Sequence, residues 1–199
     1  MKTTAIILAA GKGKRLAALG PKPLLKIDNT TFIEMITTKI VEAGFDDIIV
    51  VTNKYLAHSI KNLVDESIRI VINQKPEAGM LSSLQCGMEV MHVYSSALLL
   101  QPVDFPLVRS RTYKKLLKAH HENCRHIIIP AYAGRRGHPV IFPANTFDQL
   151  MNAPLSQGAR YVVRQKSNSI MELNVTDSAT IVNINTPDVY AAYCTKNHS

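Results

Sequence analysis

Five short apolar runs constrain the fold more than any other feature of the chain. They are AIILAA (residues 5–10), DIIVVT (47–52), IRIVIN (68–73), SALLLQ (96–101) and HIIIPA (126–131). They are nearly continuous rather than alternating, the pattern of strands buried on both faces of a parallel sheet. Helical patterns lie between them. In TFIEMITTKIVEAGF, Phe32, Met35, Ile36, Ile40 and Ala43 share one helical face, Thr31 with Glu34 forms a capping box, and Gly44 supplies a stop. YLAHSIKNLVDE, LSSLQCGMEVMHV and RTYKKLLKAHHE fill the next gaps. Strand alternating with helix predicts an α/β protein with a doubly wound sheet. After Ala131 the rhythm changes. HPVIFPANTFDQL reads as a short strand and a helix with Asn145 as N-cap, and QGARYVVRQ reads as a helix. IMELNV and TIVNIN read as further strands, and NTPDVYAAYC as a last helix capped by Thr186 with Pro187 at its first position. No repeat, linker or low-complexity segment interrupts the pattern, so one domain is expected over residues 1–199.

Composition removes several function classes. No apolar run approaches the roughly 18 residues of a membrane span. The start, MKTT followed by a short apolar run, lacks the long core of a signal peptide, and the expected location is the cytoplasm. Cys86, Cys124 and Cys194 are far apart and odd in number, which suggests neither a disulfide framework nor a zinc site. In HHENCRH (120–126), His120 and His121 are adjacent at an expected helix end and cannot point the same way, so a solvated terminus is expected rather than zinc. The formal net charge of +8 suits anionic partners. The basic residues are scattered, there is no Trp and aromatics are 6%, so no nucleic-acid partner is expected.

The stretch IILAAGKGKRLAALGPKPLL (6–25) carries the clearest chemistry. It fits neither GxxxxGK[ST] nor GxGxxG, because Leu16 stands where the third glycine would be. A glycine-bearing loop after the first strand nevertheless lies at the carboxyl edge of the sheet, where ligands bind. Gly11 and Gly13 let backbone N–H groups approach an anion, and Lys12, Lys14 and Arg15 add positive charge. Lys22 sits in a stiff Pro21-Lys22-Pro23 segment. The loop reads as a phosphate cradle, with a solvated basic turn as the alternative.

Six segments in order resemble one family. LAAGKGKRLAALGPKPLL is similar to the LAAGxGxRL…PKPLL signature of GT-A-like nucleotidyltransferases. GMLSSLQCGM (79–88), QPVDFPLV (101–108), GRRGHPVIF (134–142), QGARYVV (157–163) and NINTPDVY (183–190) resemble GMSSSL…G, GDxPLV, GRRGHPVLF, GDxGAR and DIDTPEDY of MobA-like NTP transferases. The LAAG and GHP forms are closer to the molybdopterin cytidylyltransferase branch than to the guanylyl branch, which usually shows LAGG.

The resemblance implies a Rossmann-like three-layer α/β sandwich with a mostly parallel sheet. It implies transfer of NMP from an NTP, CTP favoured, to a phosphate-bearing small-molecule acceptor, molybdopterin favoured, with Mg²⁺ as cofactor and pyrophosphate released. The acceptor phosphate is already largely dianionic at neutral pH, with a second pKa of about 6, so no strong general base is needed. The task is to position two anions and neutralise the leaving pyrophosphate. By matched position, Leu8, Ala9, Ala10, Gly11 and Gly13 shape the loop around base and phosphates. Arg15 contacts the β and γ phosphates, Lys22 the α-phosphate, and Gly79, Ser82 and Ser83 lie near base and ribose; the serines also read as caps of a helix start. Arg15, Lys22 and Asp104 carry the catalysis.

Asp104 follows the strand ALLLQ and precedes Phe105-Pro106, where a carboxylate can hold Mg²⁺ or merely form a turn. Val103 and Phe105 depart from the family's Gly and Gln. Asn183 replaces the first Asp of DIDTP, keeping an oxygen donor for the metal without its charge, and Asn185 replaces the second or caps the last helix. Arg135, Arg136 and His138 are assigned to the acceptor, His138 either bonding it or pinning the loop. Two other readings stand beside this one. The spacing in RLAALGPKPLL favours a sugar- or alcohol-phosphate transferase, and the two asparagines favour a non-catalytic nucleotide-binding module.

Overall fold

A computed structural model describes residues 2–11 and 13–194 of the chain. Lys12 lies outside the described residues. The first strand, β1 (Lys2–Leu8), is followed by a small hairpin, β2 (Lys26–Ile27) and β3 (Thr30–Thr31), then α1 (Phe32–Ala43), β4 (Asp47–Thr52), α2 (Ala57–Lys61) and β5 (Arg69–Ile72). Next come α3 (Met80–Val90), β6 (Ser95–Pro102), α4 (Ser110–Glu122), β7 (Ile127–Tyr132), β8 (Arg135–Arg136) and β9 (Val140–Pro143). The chain continues through α5 (Phe147–Asn152), α6 (Arg160–Gln165), β10 (Ile170–Asn174) and α7 (Pro187–Cys194). The main sheet runs β10-β7-β9-β6-β1-β4-β5, with β8 on β7. Its pairs are parallel except those of β9 with β6 and β7 and of β8 with β7. Among the described residues, no helix is long and apolar enough to cross a membrane.

The continuous apolar runs are explained by burial on both faces. Ala5 and Ile7 of β1, Ile48 and Val50 of β4, and Ala97 and Leu99 of β6 meet α1 and α4 on one side. Ile6 and Leu8, Ile49 and Val51, and Leu98 and Leu100 meet α3, α5 and α6 on the other. Successive strand side chains point to opposite faces, so a strand between two helical layers is apolar over most of its length. Each fully buried aliphatic side chain contributes about 1.5–3 kcal/mol. The first helix starts and stops as its sequence predicts. Thr31 and Glu34 form a reciprocal capping box, and Gly44 closes the helix in the left-handed region. Thr186 accepts from Val189 N at 3.4 Å, as expected of the cap of α7.

Three local expectations are corrected. TIVNIN is not a strand: Ser178–Ile181 is a 3-10 turn, and the segment after it joins no ladder. Asp177 causes this, its carboxylate accepting from Ala179 N at 3.2 Å and also from Arg109 N and Thr112 Oγ1 at 2.9 and 2.6 Å, which ties the turn to the start of α4. Asn145 caps nothing. It lies inside the 3-10 turn Ala144–Thr146, its amide donating to Arg125 O at 3.5 Å. The helix expected over YLAHSIKNLVDE shortens to Ala57–Lys61.

His120 is not at a solvated helix end. It is fully buried on α4, and neither ring nitrogen has a hydrogen-bond partner. Burial, and secondarily His121, hold its pKa below the ordinary 6.5. The unfolded chain therefore takes up a proton near pH 6.5 that the fold resists, and stability is lost as pH falls from there. His120→Leu should remove this share of the acid sensitivity and raise stability at pH 7 by about 1 kcal/mol. Urea titrations of both proteins at pH 7.5 and 5.5 measure the effect, and parallel losses on acidification would contradict it.

Candidate active site

The chain order reverses between β1 and β6: β4 and β5 build out on one side of β1, and β6 returns on the other. Such a switch point opens a crevice at the carboxyl ends of the strands. Here Val103 N donates to Leu8 O at 3.2 Å and Ala9 N to Val51 O at 2.8 Å, fixing the two loops that leave β1 and β6. Between them lies a cleft of about 220 Å³. Leu8, Ala10, Gly11, Gly13, Lys22, Gly79, Ser83 and Asp104 all line it. Ala9 does not, because its side chain is fully buried in the core beneath.

The first loop leaves this space open. Gly13 has φ +54°, in the left-handed region that suits glycine, and starts the 3-10 turn Lys14–Leu19. A Cβ built on Gly11 would meet no atom within 4 Å. Gly13, Arg15, Lys22 and Asn185 line a polar recess of about 310 Å³ beside the cleft.

Lys22 is the hub. Its Nζ donates a short hydrogen bond to Asn185 Oδ1 and lies 3.7 Å from Asp104 Oδ2. Burial lowers its pKa, the attraction of Asp104 opposes the shift, and Arg15 adds to it. Asn185 thus holds the lysine and caps no helix. Asn183 comes to the same place by the backbone, since the neighbouring Ile184 N donates to Asp104 O at 2.8 Å. Asn183 Oδ1 is buried with no hydrogen-bond partner, an acceptor left open.

Asp104 is positioned by residues that sequence reasoning passed over. Gln101 is fully buried, and its amide nitrogen donates to Pro102 O at 2.6 Å and Phe105 O at 3.4 Å. Its oxygen accepts from the buried Tyr113 hydroxyl at 2.8 Å. Lys39 Nζ donates to Pro106 O at 2.8 Å from α1. The one available signal was a polar Gln at the end of an otherwise apolar strand.

Ser82 and Ser83 do not cap α3, whose N-cap is Gly79 without a side-chain bond. Both hydroxyls accept from Asn73 Nδ2 at 3.0 Å. Ser83 lines the cleft; Ser82 does not, its hydroxyl donating to Gly79 O at 2.8 Å.

The residues of GRRGHP separate. Arg135 and Arg136 line neither cavity at the switch point. They form β8, and Arg136 is held by Glu172 of β10 at 2.6 Å. Pairing with β7 places both at the far side of the sheet, so the arginine pair does not meet the cleft as expected. His138 does reach the site region. It lines a second cavity adjoining the first through Gly79 and Met80, and its ring packs 4.9 Å from that of Phe105. Its Nδ1 is buried and unpartnered. Burial lowers its pKa, Asp104 opposes the shift and Arg160 adds to it.

Gly137 places His138. A Cβ at Gly137 would lie 2.2 Å from Thr180 O, while Gly137 N donates to Pro130 O and His138 N to Thr180 O, both at 2.8 Å. Backbone on both sides leaves no room to yield. Gly137→Ala should cost about 1–3 kcal/mol of stability by overpacking and pull His138 off the cavity. Denaturant titration and nucleotide affinity check it: stability falls and nucleotide affinity stays.

Could the site hold Mg²⁺? Among the described residues, no group of three His, Cys, Asp or Glu could hold a metal. Mg²⁺ does not need one, because it binds through one or two carboxylates with water and substrate phosphates. Asp104 and the open Asn183 oxygen are hard donors of that kind, and they fit.

Comparison with known proteins agrees with this geometry. The model of the MobA-like NTP transferase domain matches residues 5–170. Nicotine blue oxidoreductase of Paenarthrobacter nicotinovorans is 30% identical over 193 residues, 92% of each chain. A probable molybdenum cofactor guanylyltransferase of Methanothermobacter thermautotrophicus is 30% identical over 102 residues, 51% of this chain and 50% of that one. The crystal structure of Rv0371c from Mycobacterium tuberculosis superposes with a TM-score of 0.82 at 24% identity, covering 98% of this chain and 97% of the other. The chain is therefore a nucleotidyltransferase and belongs to the MobA-like NTP transferase family.

Proposed function

We propose that the chain transfers CMP from CTP to the phosphate of molybdopterin, releasing pyrophosphate, with Mg²⁺ bound at Asp104 and Asn183. The carrying observation is that Lys22 and Asp104 line one cleft with Gly11 and Gly13, the lysine being held by Asn185 of the adjoining recess. A phosphate oxygen of the acceptor attacks the α-phosphorus, the bond from that phosphorus to the bridging oxygen breaks, and its electron pair leaves with pyrophosphate. Lys22 and the loop amides hold the α-phosphate for in-line attack, and Arg15 offsets charge on the leaving group. Mg²⁺ supplies Lewis-acid neutralisation of phosphate oxygens. Ser83 and the α3 start border the nucleoside. The preference for CTP and for a pterin acceptor rests on the LAAG and GHP forms of the two loops.

Two alternatives have support of their own. The spacing between Arg15 and Lys22 favours a sugar- or alcohol-phosphate acceptor, and the oxidoreductase name of a full-length relative raises redox chemistry. One experiment separates them: pyrophosphate release from each NTP with Mg²⁺ against molybdopterin, glucose 1-phosphate and glycerol 3-phosphate, with NAD(P)H oxidation followed in parallel. Release with CTP and molybdopterin alone is expected. Release with a sugar phosphate, or NAD(P)H oxidation without release, would overturn the proposal.

A further inference from the structure

A separate cavity of about 320 Å³, within the size range of small-molecule sites, shares no lining residue with the cleft or with the polar recess. Ile27, Met35, Leu107 and Ala179 give it an apolar lining, and Tyr193 adds an aromatic ring. Arg109 also lines it, with 61% of its side chain exposed. Among the described residues the Arg109 guanidinium donates no hydrogen bond, and its one ion pair is with Asp177, whose Oδ1 lies 3.9 Å from Nε. Asp177 is satisfied without it, since its carboxylate already accepts from Arg109 N, Thr112 Oγ1 and Ala179 N. Arg69 and Arg136, by contrast, each donate to a carboxylate. Arg109 is thus a cation with unused donors beside an apolar hollow. The walls of this hollow continue the segments that carry the active site. Ile27 lies on the hairpin after Lys22, Leu107 and Arg109 on the loop begun by Asp104, and Ala179 in the turn before Asn183 and Asn185.

We infer that this cavity is an effector site for a small aromatic monocarboxylate, its ring on the apolar lining and its carboxylate on the Arg109 guanidinium. The planar fork of an arginine matches a carboxylate through two parallel hydrogen bonds. Asp28 stands on the same lining and repels a second negative charge, so a singly charged acid fits better than a dianionic phosphate. A ligand that fits the described conformation stabilises that conformation. In it Lys22 is held by Asn185 and faces Asp104. Occupancy of the cavity therefore raises affinity for nucleotide, and nucleotide raises affinity for the acid by the same factor. This coupling rests on the cleft being the nucleotide site; the acid-binding cavity does not.

Titration of protein carrying ¹³C-methyl methionine with 2-naphthoate tests this. Met35 lines the proposed site, whereas Met80 lines both the cleft and the cavity that adjoins it. The Met35 methyl signal should move and the Met80 signal should stay, with Met35→Leu and Met80→Leu assigning the two. 2-Naphthamide, the same ring without the charge, should bind at least about tenfold more weakly, and Arg109→Ala should weaken 2-naphthoate by at least about tenfold. The variant should keep the wild-type melting temperature, because the side chain is exposed and the backbone N–H that Asp177 accepts remains. Saturating 2-naphthoate should tighten binding of α,β-methylene-CTP with Mg²⁺ about fivefold in the wild type, and the same concentration should not do so in Arg109→Ala. A still Met35 signal, a moving Met80 signal, equal affinity for acid and amide, or unchanged affinity in Arg109→Ala would overturn the site. An unmoved affinity for the CTP analogue with Met35 shifted would overturn the effector role. Failure of the analogue to bind at all would instead sink the reading of the cleft, and the Met35 and Arg109 measurements would still decide the acid site.

Discussion

Asp104→Ala should lower kcat for nucleotidyl transfer by about 10³-fold or more, the scale of removing a group that stabilises charge in the transition state. Asp104 is the carboxylate of the cleft and sits 3.7 Å from Lys22. Removing it takes away the carboxylate proposed to hold Mg²⁺ and leaves a partly buried lysine without its counter-charge. The fold should survive, because the loop is held through backbone. Val103 N reaches Leu8 O, Ile184 N reaches Asp104 O, and Gln101 clasps Pro102 O and Phe105 O. Asp104→Asn separates charge from shape. It keeps an oxygen donor, as Asn183 already does, and should retain more activity than Asp104→Ala while losing about 10²-fold. Single-turnover rates at saturating nucleotide, with circular dichroism as the folding control, measure both. More than a tenth of wild-type activity in Asp104→Ala would remove the residue from the mechanism.

Lys22→Ala should reduce kcat/KM by about 10²- to 10³-fold, with part of the loss in nucleotide affinity. The lysine is aimed by three features. Pro21 and the buried Pro23 stiffen its segment, Asn185 accepts from its ammonium, and Asp104 attracts it from across the cleft. Lys22→Arg should not rescue, because a planar fork on a longer stem does not fit a point contact held by Asn185. Asn185→Ala should cost less, about three- to tenfold, since that side chain acts only by orienting Lys22. Rates and nucleotide affinities for the three variants give the order. Rescue by Arg, or a larger loss in Asn185→Ala than in Lys22→Ala, would contradict this assignment.

What the sequence discloses follows from which forces are local. The sheet was legible because AIILAA, DIIVVT and SALLLQ lack polar alternation, and burial on two faces leaves no other arrangement. The capping box of Thr31 and Glu34 and the cap at Thr186 were legible because each involves residues within one turn. The switch-point loops were legible in the same way: Gly13, Lys22 and Asp104 are marked by backbone and charge needs close to them in the chain. Contacts made across the chain were not. Asp177, 65 residues from Thr112, converts TIVNIN from strand to turn, and no local pattern records that. The arginine pair of GRRGHP looked like an anion site, yet Glu172 on a neighbouring strand claims Arg136. Ala9 and Ser82 each sit in a signature, but the Ala9 side chain packs into the core and Ser82 is not among the residues lining the cleft.

The most direct test of the central claim follows the label from [α-³²P]CTP in a single turnover with Mg²⁺ and molybdopterin. The account predicts that the label leaves CTP and appears in a product retaining the acceptor, with one unlabelled pyrophosphate released per labelled product and no transfer by Asp104→Ala. Label found only in CMP or CDP, or transfer undiminished in Asp104→Ala, would contradict it.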